Sequence, residues 1–384
     1  MELIPTAWSV ISASMVFLLG ALISIKISMR FRVRQRRSLI LYLWHTVFCF
    51  VYMFYVASSG GDALMYFDSS LHGSVDLALG TSVVLYITRL MNHGLGFSIL
   101  GVFLVFNIVG FIGLLALDGA LRYSAEGKSL WVRRTASALV FLPSISFWSS
   151  AIGKDAIAFA SVGLALWAAI DMRRRFFLMM LAVALMLVVR PHMAVLLSSA
   201  LAISVMLDSR VSIPRRGAMG IVAIAASVFL VPLVIGTSGL DSVGGIGAVG
   251  DYVEMRQGYN MDGGGGIDIG SMSLPMQMFS YLFRPLPFEA NNIPSLAASL
   301  DNVILLGLFC CAGWGLGRGK WNLVGANWIF MLTYVLFSWV LLSSTTANLG
   351  ISVRQKWMFV PMVIFILVSI LGVRRDAGPL FRIR

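Results

Sequence analysis

The sequence predicts an all-helical protein threaded repeatedly through a membrane, and three observations carry that prediction. Of its 384 residues 59% are hydrophobic and 12% charged, with a mean hydropathy of +0.88. A soluble globular chain carries about twice that charged share. Apolar runs long enough for a span recur along the whole chain. Basic residues gather at alternate ends of those runs, the pattern of cations retained on the cytoplasmic side. The expected fold is therefore one integral membrane domain, residues 1–384.

The first span is expected at about Trp8 to Met29. No basic segment precedes it, so it reads as a span and not as a cleaved signal peptide. Arg30, Arg32, Arg34, Arg36 and Arg37 follow it closely, which sets the N-terminus outside. The second span, about Leu39 to Val56, returns to the outer face. It opens into an outer segment, 58–96, that begins Ser58-Ser59-Gly60-Gly61-Asp62. From Ala63 to His93 apolar and polar residues alternate without a clean span, as expected of one or two amphipathic helices lying on the outer surface.

Phe97 to Leu117 leads inward. Thr135 to Phe147 and Ala156 to Ile170 are the legs of a hairpin between Arg133-Arg134 and Arg173-Arg174-Arg175. The tip of the hairpin holds Trp148, Ser149, Ser150, Lys154 and Asp155. Ionisable groups at that depth mark functional sites by default. Phe176 to Val189 leads outward to Arg190-Pro191-His192, Met193 to Leu207 inward, and Gly217 to Ile235 outward. A glycine-rich outer loop, 236–294, follows, and its absence of packing side chains predicts mobility over Gly236 to Met278. Val303 to Leu316, Ala326 to Leu342 and Trp357 to Leu371 complete about eleven spans, with the C-terminus inside.

This topology places 22 of the 29 Lys and Arg on the cytoplasmic side. The other seven are Arg89, Lys154, Arg190, Arg256, Arg284, Arg354 and Lys356. Their positions at the ends of apolar runs argue against a nucleic-acid partner for a chain of net charge +12. Most sit in short polar motifs at the ends of different spans, which predicts one shared outer cavity. Arg binds phosphate oxygens through two parallel bonds and Lys adds a mobile point charge. Arg190, Arg284 and Arg354, then Lys154, Lys356 and Arg89, are expected to hold a lipid-linked phosphate or pyrophosphate. Taken singly, each serves equally well as an ion-pair partner for Asp155 or Glu289, or as a contact for headgroups.

Asp62 has two readings of equal weight. It could accept a proton from an attacking hydroxyl, or cap the surface helix that begins near Ala63. His192, Asp155 and Glu289 are the further acid–base candidates, although His192 could simply orient Arg190. Tyr66, Trp148 and Tyr281 could stack on sugar faces or act as interfacial aromatics. Asn348 is expected as a further sugar contact. Cys49, Cys310 and Cys311 fall in apolar runs and suggest neither a disulfide framework nor a zinc site. No Asp-x-Asp or clustered His-carboxylate motif is present, so metal-independent chemistry without a cofactor is expected.

An acidic residue in the first large outer loop, followed by surface helices and a many-span bundle, resembles the GT-C membrane glycosyltransferases. Gly-Asp-Ala-Leu-Met-Tyr, Arg-Pro-His and Asn-Leu-Gly-Ile-Ser-Val-Arg resemble motifs of bacterial O-antigen and exopolysaccharide polymerases of the Wzy and EpsG type. The chain differs from the GT-C pattern in placing its acidic loop after the second span. The resemblance implies transfer of a sugar or repeat unit from a polyprenyl-linked donor to an acceptor glycan at the outer face of a bacterial inner membrane. Asp62 would be the carboxylate and the outer arginines the pyrophosphate grip. Partners would be the donor, the acceptor, membrane lipids and other polysaccharide-export proteins. Two other classes fit less well. A lipid-linked oligosaccharide transporter needs polar groups across the midplane and often internal repeats. An acyl- or phosphotransferase needs a placed His base, with only His72, His93 and His192 on the outer side.

Overall fold

The computed structural model describes residues 6–72, 78–208, 265–290, 292–318 and 325–373, with a few positions between 212 and 258. These residues form helices and no strand beyond isolated bridges such as Gly266 with Asn348. By length and apolar composition five helices among the described residues can each cross a bilayer: Ala7–Phe31, Gln35–Ser59, Ile99–Ser124, Ile293–Gly317 and Trp328–Thr345. A sixth candidate is a pair of helices, Leu349–Met358 and Val360–Ile370, bent by 66° at their junction. The chain is a polytopic helical membrane protein.

Helix α1 (Ala7–Ser28) and helix α2 (Gln35–Ser59) form the first hairpin. Thr6 caps α1 by accepting the Ser9 N–H. One stripe of α1, including Ser9, Ser12, Ala13, Val16, Gly20 and Ser24, is buried against the bundle. Leu18, Leu19 and Leu22 are exposed on the other side, as lipid-facing positions should be. At Gly20 a β-carbon would stand 2.2 Å from the Tyr42 hydroxyl, which donates to Phe17 O at 2.9 Å. Glycine is required there because the Tyr42 phenol crosses α1 at its backbone.

After α2, Gly60 (φ 75°) turns the chain sharply through Gly61 into α3 (Asp62–His72). Ala63, Tyr66, Phe67 and Ser70 are buried and Met65 is exposed. This is the amphipathic helix expected after Ala63, joined by α4 (Thr81–Arg89).

Helix α5 (Ile99–Ser124) is the axis of the bundle, the most buried of the five spans. Helices α6 (Leu130–Leu139), α7 (Pro143–Ser149) and α8 (Lys154–Ile170) follow. Small residues bring α5 and α8 together. A β-carbon at Gly113 would stand 2.8 Å from Ala160 Cα, and one at Gly163 2.5 Å from Gly113 O. Close backbone approach of this kind replaces hydrophobic burial as the cement between helices in lipid.

The structure corrects the expected hairpin. Its first leg is not continuous over Thr135 to Phe147, because α6 ends at Leu139 and Pro143 opens a new helix. Proline lacks the N–H and the space to continue a helix but is well suited to begin one.

The next pair, α9 (Phe176–Val189) and α10 (Pro191–Leu207), comprises helices of 14 and 17 residues. Each is shorter than the ~20 residues of a full span. The expectation of about eleven spans counted such segments as complete crossings. Most of the expected span Gly217 to Ile235 lies outside the described residues, as does most of the glycine-rich stretch 236–264 whose mobility was expected. The rest of that loop is partly helical, with α11 at Leu274–Phe283. Helices α12 (Ile293–Gly317), α13 (Trp328–Thr345), α14 (Leu349–Gln355) and α15 (Val360–Ile370) complete the described chain. Asn292, Asn327 and Asn348 cap the first three of these by accepting N–H bonds from the opening turn.

Candidate functional site

Four charged residues from four distant segments meet at one end of the bundle. Asp62 opens α3, Asp155 lies in the first turn of α8, Arg190 joins α9 to α10, and Arg354 lies on α14. Arg354 is the hub. Its Nη1 donates to Asp62 Oδ2 at 2.6 Å, and its Nε donates to Asp155 Oδ2. The other Asp155 oxygen accepts from Arg190 Nη2 at 2.9 Å. Asp155 is thus held by two guanidinium groups, and its place at a helix N-terminus adds the favourable end of the helix dipole.

Local sequence sets each position. Gly60 and Gly61 swing Asp62 out of the α2 line. Pro191 disfavours helical backbone at Arg190, so α9 stops there and the guanidinium leaves at the corner. Asn348 accepts from Gly350 N at 2.9 Å and so starts the short helix that carries Arg354.

The surroundings are aromatic. Trp148, Asp155, Arg354 and Trp357 line a cavity of ≈10 Å³, about the space of one water molecule. Tyr52 lies within electrostatic reach of Arg354, Asp155 and Asp62, and its ring stands 5.8 Å from that of Trp148. Tyr66 flanks the start of α8, with Cε2 3.7 Å from where a β-carbon on Gly153 would lie. Burial, then the Asp62 charge, pushes its phenol above the ordinary value and keeps it a donor. Lys154 donates to Thr81 Oγ1 at 3.0 Å, tying α8 to α4.

Three polar atoms here are buried without a partner among the described residues: Arg190 Nε, the Tyr281 hydroxyl and Trp357 Nε1. Tyr281 lies within electrostatic reach of Arg190. Unpaired buried donors are costly, about 1–3 kcal/mol each. Each is a donor that a ligand oxygen could satisfy.

Other expected site residues lie elsewhere. Arg284 is bound to Glu289 within its own loop, with Nε to Oε1 at 2.8 Å, and Leu286 N donates to Glu289 Oε2 at 2.7 Å. The hydrogen bond from Arg284 holds the Glu289 carboxyl below its ordinary range. Lys356 is buried and donates to Asn302 Oδ1. Asn302 in turn donates to Pro285 O at 2.9 Å, and nearby Asp301 accepts from Ser144 N at 2.8 Å. Among the described residues the expected single ring of cations is therefore divided, with one group at Arg354 and one at Lys356, and Arg256 lies outside the described residues. Two residues apart on one helical stretch, these side chains point to opposite sides and engage different partners. Asn348 serves as a cap, Arg89 ends α4, and His192 lies one residue beyond Pro191.

Beneath Asp155 lies a polar relay that sequence reasoning passed over. His45 Nδ1 lies 2.6 Å from Asn107 Oδ1 and His45 Nε2 3.0 Å from Ser149 Oγ. Asn107 Nδ2 donates to Thr46 Oγ1 at 2.9 Å. A β-carbon at Gly110 would stand 1.8 Å from Ser149 O. That glycine lets α7 sit against α5 and anchors the turn that carries Asp155. His45 and Asn107 lie in apolar runs, and only Gly110, one turn beyond Asn107, hinted at a close contact.

The two ends of the bundle differ in charge. Arg37, in the first turn of α2, donates from Nη2 to Asp118 Oδ1 at 2.6 Å and to Ser137 O at 2.8 Å. Asp62 lies just past the other end of α2, whose 25 residues span roughly 37 Å at 1.5 Å per residue. The Asp62–Arg354 cluster is thus at the opposite end from the Arg30–Arg37 basic run. No protein-family model, curated protein or solved structure matches the chain.

Proposed function

We propose that the chain is a membrane glycosyltransferase or polysaccharide polymerase of GT-C-like architecture. It would transfer a sugar or oligosaccharide repeat unit from a polyprenyl (pyro)phosphate donor to an acceptor glycan at the outer face of a bacterial cytoplasmic membrane. The observation that carries this reading is the meeting of Asp62, Asp155, Arg190 and Arg354 at the end of the bundle away from the basic run. If cations mark the cytoplasmic side, that end is outside. The eleven-span topology belongs to the same reading, with the shorter helices as partial crossings.

In this mechanism the donor's phosphate draws Arg354 and Arg190 away from the carboxylates. Asp62 is then free to take the proton of the acceptor hydroxyl. The acceptor oxygen bonds to the anomeric carbon, the bond from that carbon to the phosphate oxygen breaks, and its electron pair leaves with the pyrophosphate. The guanidinium groups, now on the phosphate, stabilise the charge that develops there. Binding the leaving group and releasing the base would be one event. Tyr66 and Trp148 border the place where a sugar would lie, above Asp62, whose side chain is 45% exposed.

The test is donor binding and polymer formation by purified variants in parallel. Asp62→Asn should bind donor and make little polymer. Near-normal polymer from that variant removes Asp62 from the role and moves the search to Asp155, the other carboxylate of the cluster.

A lipid-linked oligosaccharide transporter is the second reading, favoured by the 66° break beside buried Lys356. Broken helices carrying charge line many transport paths. Movement of labelled donor across liposomes without new glycosidic bonds would select it.

A further inference from the structure

A second space opens at the basic end of the bundle, in the segment 122–141. Arg122, Arg133 and Arg134 line a cavity of ≈430 Å³ together with Leu130, Ala138 and Phe141. No carboxylate lines it. None of the three guanidinium groups has a hydrogen-bond or ion-pair partner among the described residues. At the other end of α2, Arg190 and Arg354 are both paired.

The walls of this cavity are fixed. Helix α6 buries Val132, Ala136 and Leu139, leaving Arg133 and Arg134 on the open face. Arg37 braces the floor: it donates to Ser137 O at 2.8 Å and lies 5.5 Å from the centre of the Phe141 ring. Leu130 and Trp131 are 57% and 56% exposed at the rim. An apolar rim beside a cationic floor fits a molecule with an anionic head and acyl chains. Three uncompensated charges exceed what one phosphodiester neutralises, and they suit two phosphodiesters close together.

We infer that this cavity binds the headgroup of an anionic phospholipid bearing two phosphodiesters, a diphosphatidylglycerol, at the cytoplasmic membrane surface. The arginine forks grip the phosphates, Phe141 and Ala138 meet the glycerol carbons, and the acyl chains leave past Leu130 and Trp131. Basic pockets between helices on that side are a recurrent means of lipid recognition.

The experiment is thermal unfolding of the purified full chain in detergent, titrated separately with diphosphatidylglycerol, phosphatidylglycerol, phosphatidylcholine and inorganic pyrophosphate. Diphosphatidylglycerol should stabilise at the lowest concentration, and phosphatidylcholine should not stabilise. The paired change Arg133→Gln with Arg134→Gln should raise the concentration needed by roughly thirtyfold, from the loss of two surface cations. Arg30→Gln with Arg36→Gln, outside the cavity, should leave it within about threefold of the parent. An equal loss from that control pair, or an equal response to phosphatidylglycerol, overturns the site. Stabilisation by pyrophosphate alone at matching concentration assigns the cavity to a free anion and overturns the lipid reading. The comparison of four ligands on the unaltered chain stands even if a variant fails to fold.

Discussion

Arg354 joins Asp62 to Asp155. It donates to Asp62 at 2.6 Å across 292 positions of sequence and at the same time bonds the second carboxylate through Nε. One cation holding two carboxylates keeps both charged side chains in one orientation. Removing it leaves both with one partner fewer.

Arg354→Ala should therefore be the most disruptive change in the cluster. Taking away one partner of a partly buried charge network costs about 3–5 kcal/mol. Arg354→Lys should recover part of that, because a single ammonium cannot reproduce the fork that spans two carboxylates. Thermal unfolding in detergent checks the order, wild type above Lys above Ala. A Lys variant as stable as wild type would deny the fork its part.

Asp62→Asn separates the two uses of Asp62. Asn caps a helix as well as Asp does, so folding should survive. Transfer should fall by about a hundredfold or more if the carboxylate accepts a proton. Parallel donor binding and product formation give the answer, and a silent substitution would leave Asp62 as a cap and an ion-pair partner only.

The Arg284–Glu289 pair predicts a pH response. The Glu289 carboxyl is held below its ordinary value in the fold, first by the Arg284 hydrogen bond. Its contribution is therefore present at neutral pH, above the unfolded value. It is lost as pH falls below about 4.5, the ordinary Glu range, and through the folded value. The pair is partly exposed, so the contribution should be under about 1 kcal/mol. Glu289→Gln should lower the unfolding temperature slightly at pH 7 and by a smaller amount as the pH falls below the ordinary Glu range. An equal effect above and below that range would contradict the ionic origin.

The contact between α5 and α8 predicts opposite effects for two glycines. Gly163→Val places new atoms against Gly113 O, already only 2.5 Å from where a β-carbon would lie. It should cost about 1–3 kcal/mol or more. At Gly307, within α12, a β-carbon would meet nothing within 4 Å. Gly307→Ala should be neutral or gain up to about 1 kcal/mol of helix propensity. Unfolding temperatures that move together would refute the crossing as the source of the difference.

Sidedness can be tested directly. Cysteines replacing Ser59 and Asn348 lie at the end of the bundle that holds the Asp62 cluster, while one replacing Ser129 lies at the basic end. An impermeant thiol reagent applied to intact cells stripped of the outer barrier should reach the first two and spare the third. Labelling of Ser59 and Asn348 replacements only from the cytoplasmic side would invert the topology and end the outer-face reading.

Much of this protein is determined by the sequence alone. Apolar runs fix helices wherever they occur, because a backbone in lipid must satisfy its own hydrogen bonds. The spans around Trp8, Leu39, Phe97 and Val303, and the surface helix after Ala63, therefore follow from local composition. Gly60-Gly61 and Arg190-Pro191 likewise announce their corners, since glycine and proline act on the backbone without help from neighbours. Asp62, Asp155, Arg190 and Arg354 could be singled out as expensive charges at helix ends. Asp155 could be named as an ion-pair partner for the outer cations, but not which arginines would take it, nor that Arg354 would also hold Asp62. That Arg354 turns to Asp62 while Lys356 turns to Asn302 depends on which helices lie on the two opposite sides that residues two apart present. His45 and Asn107 were invisible for the same reason: a polar residue in an apolar run acquires meaning only when the residue facing it on another helix is known. Helix formation is a short-range event and can be read along the chain. Pairing of charges across the bundle is decided by how small residues such as Gly110, Gly113 and Gly163 let helices approach, and only the tertiary structure contains that information.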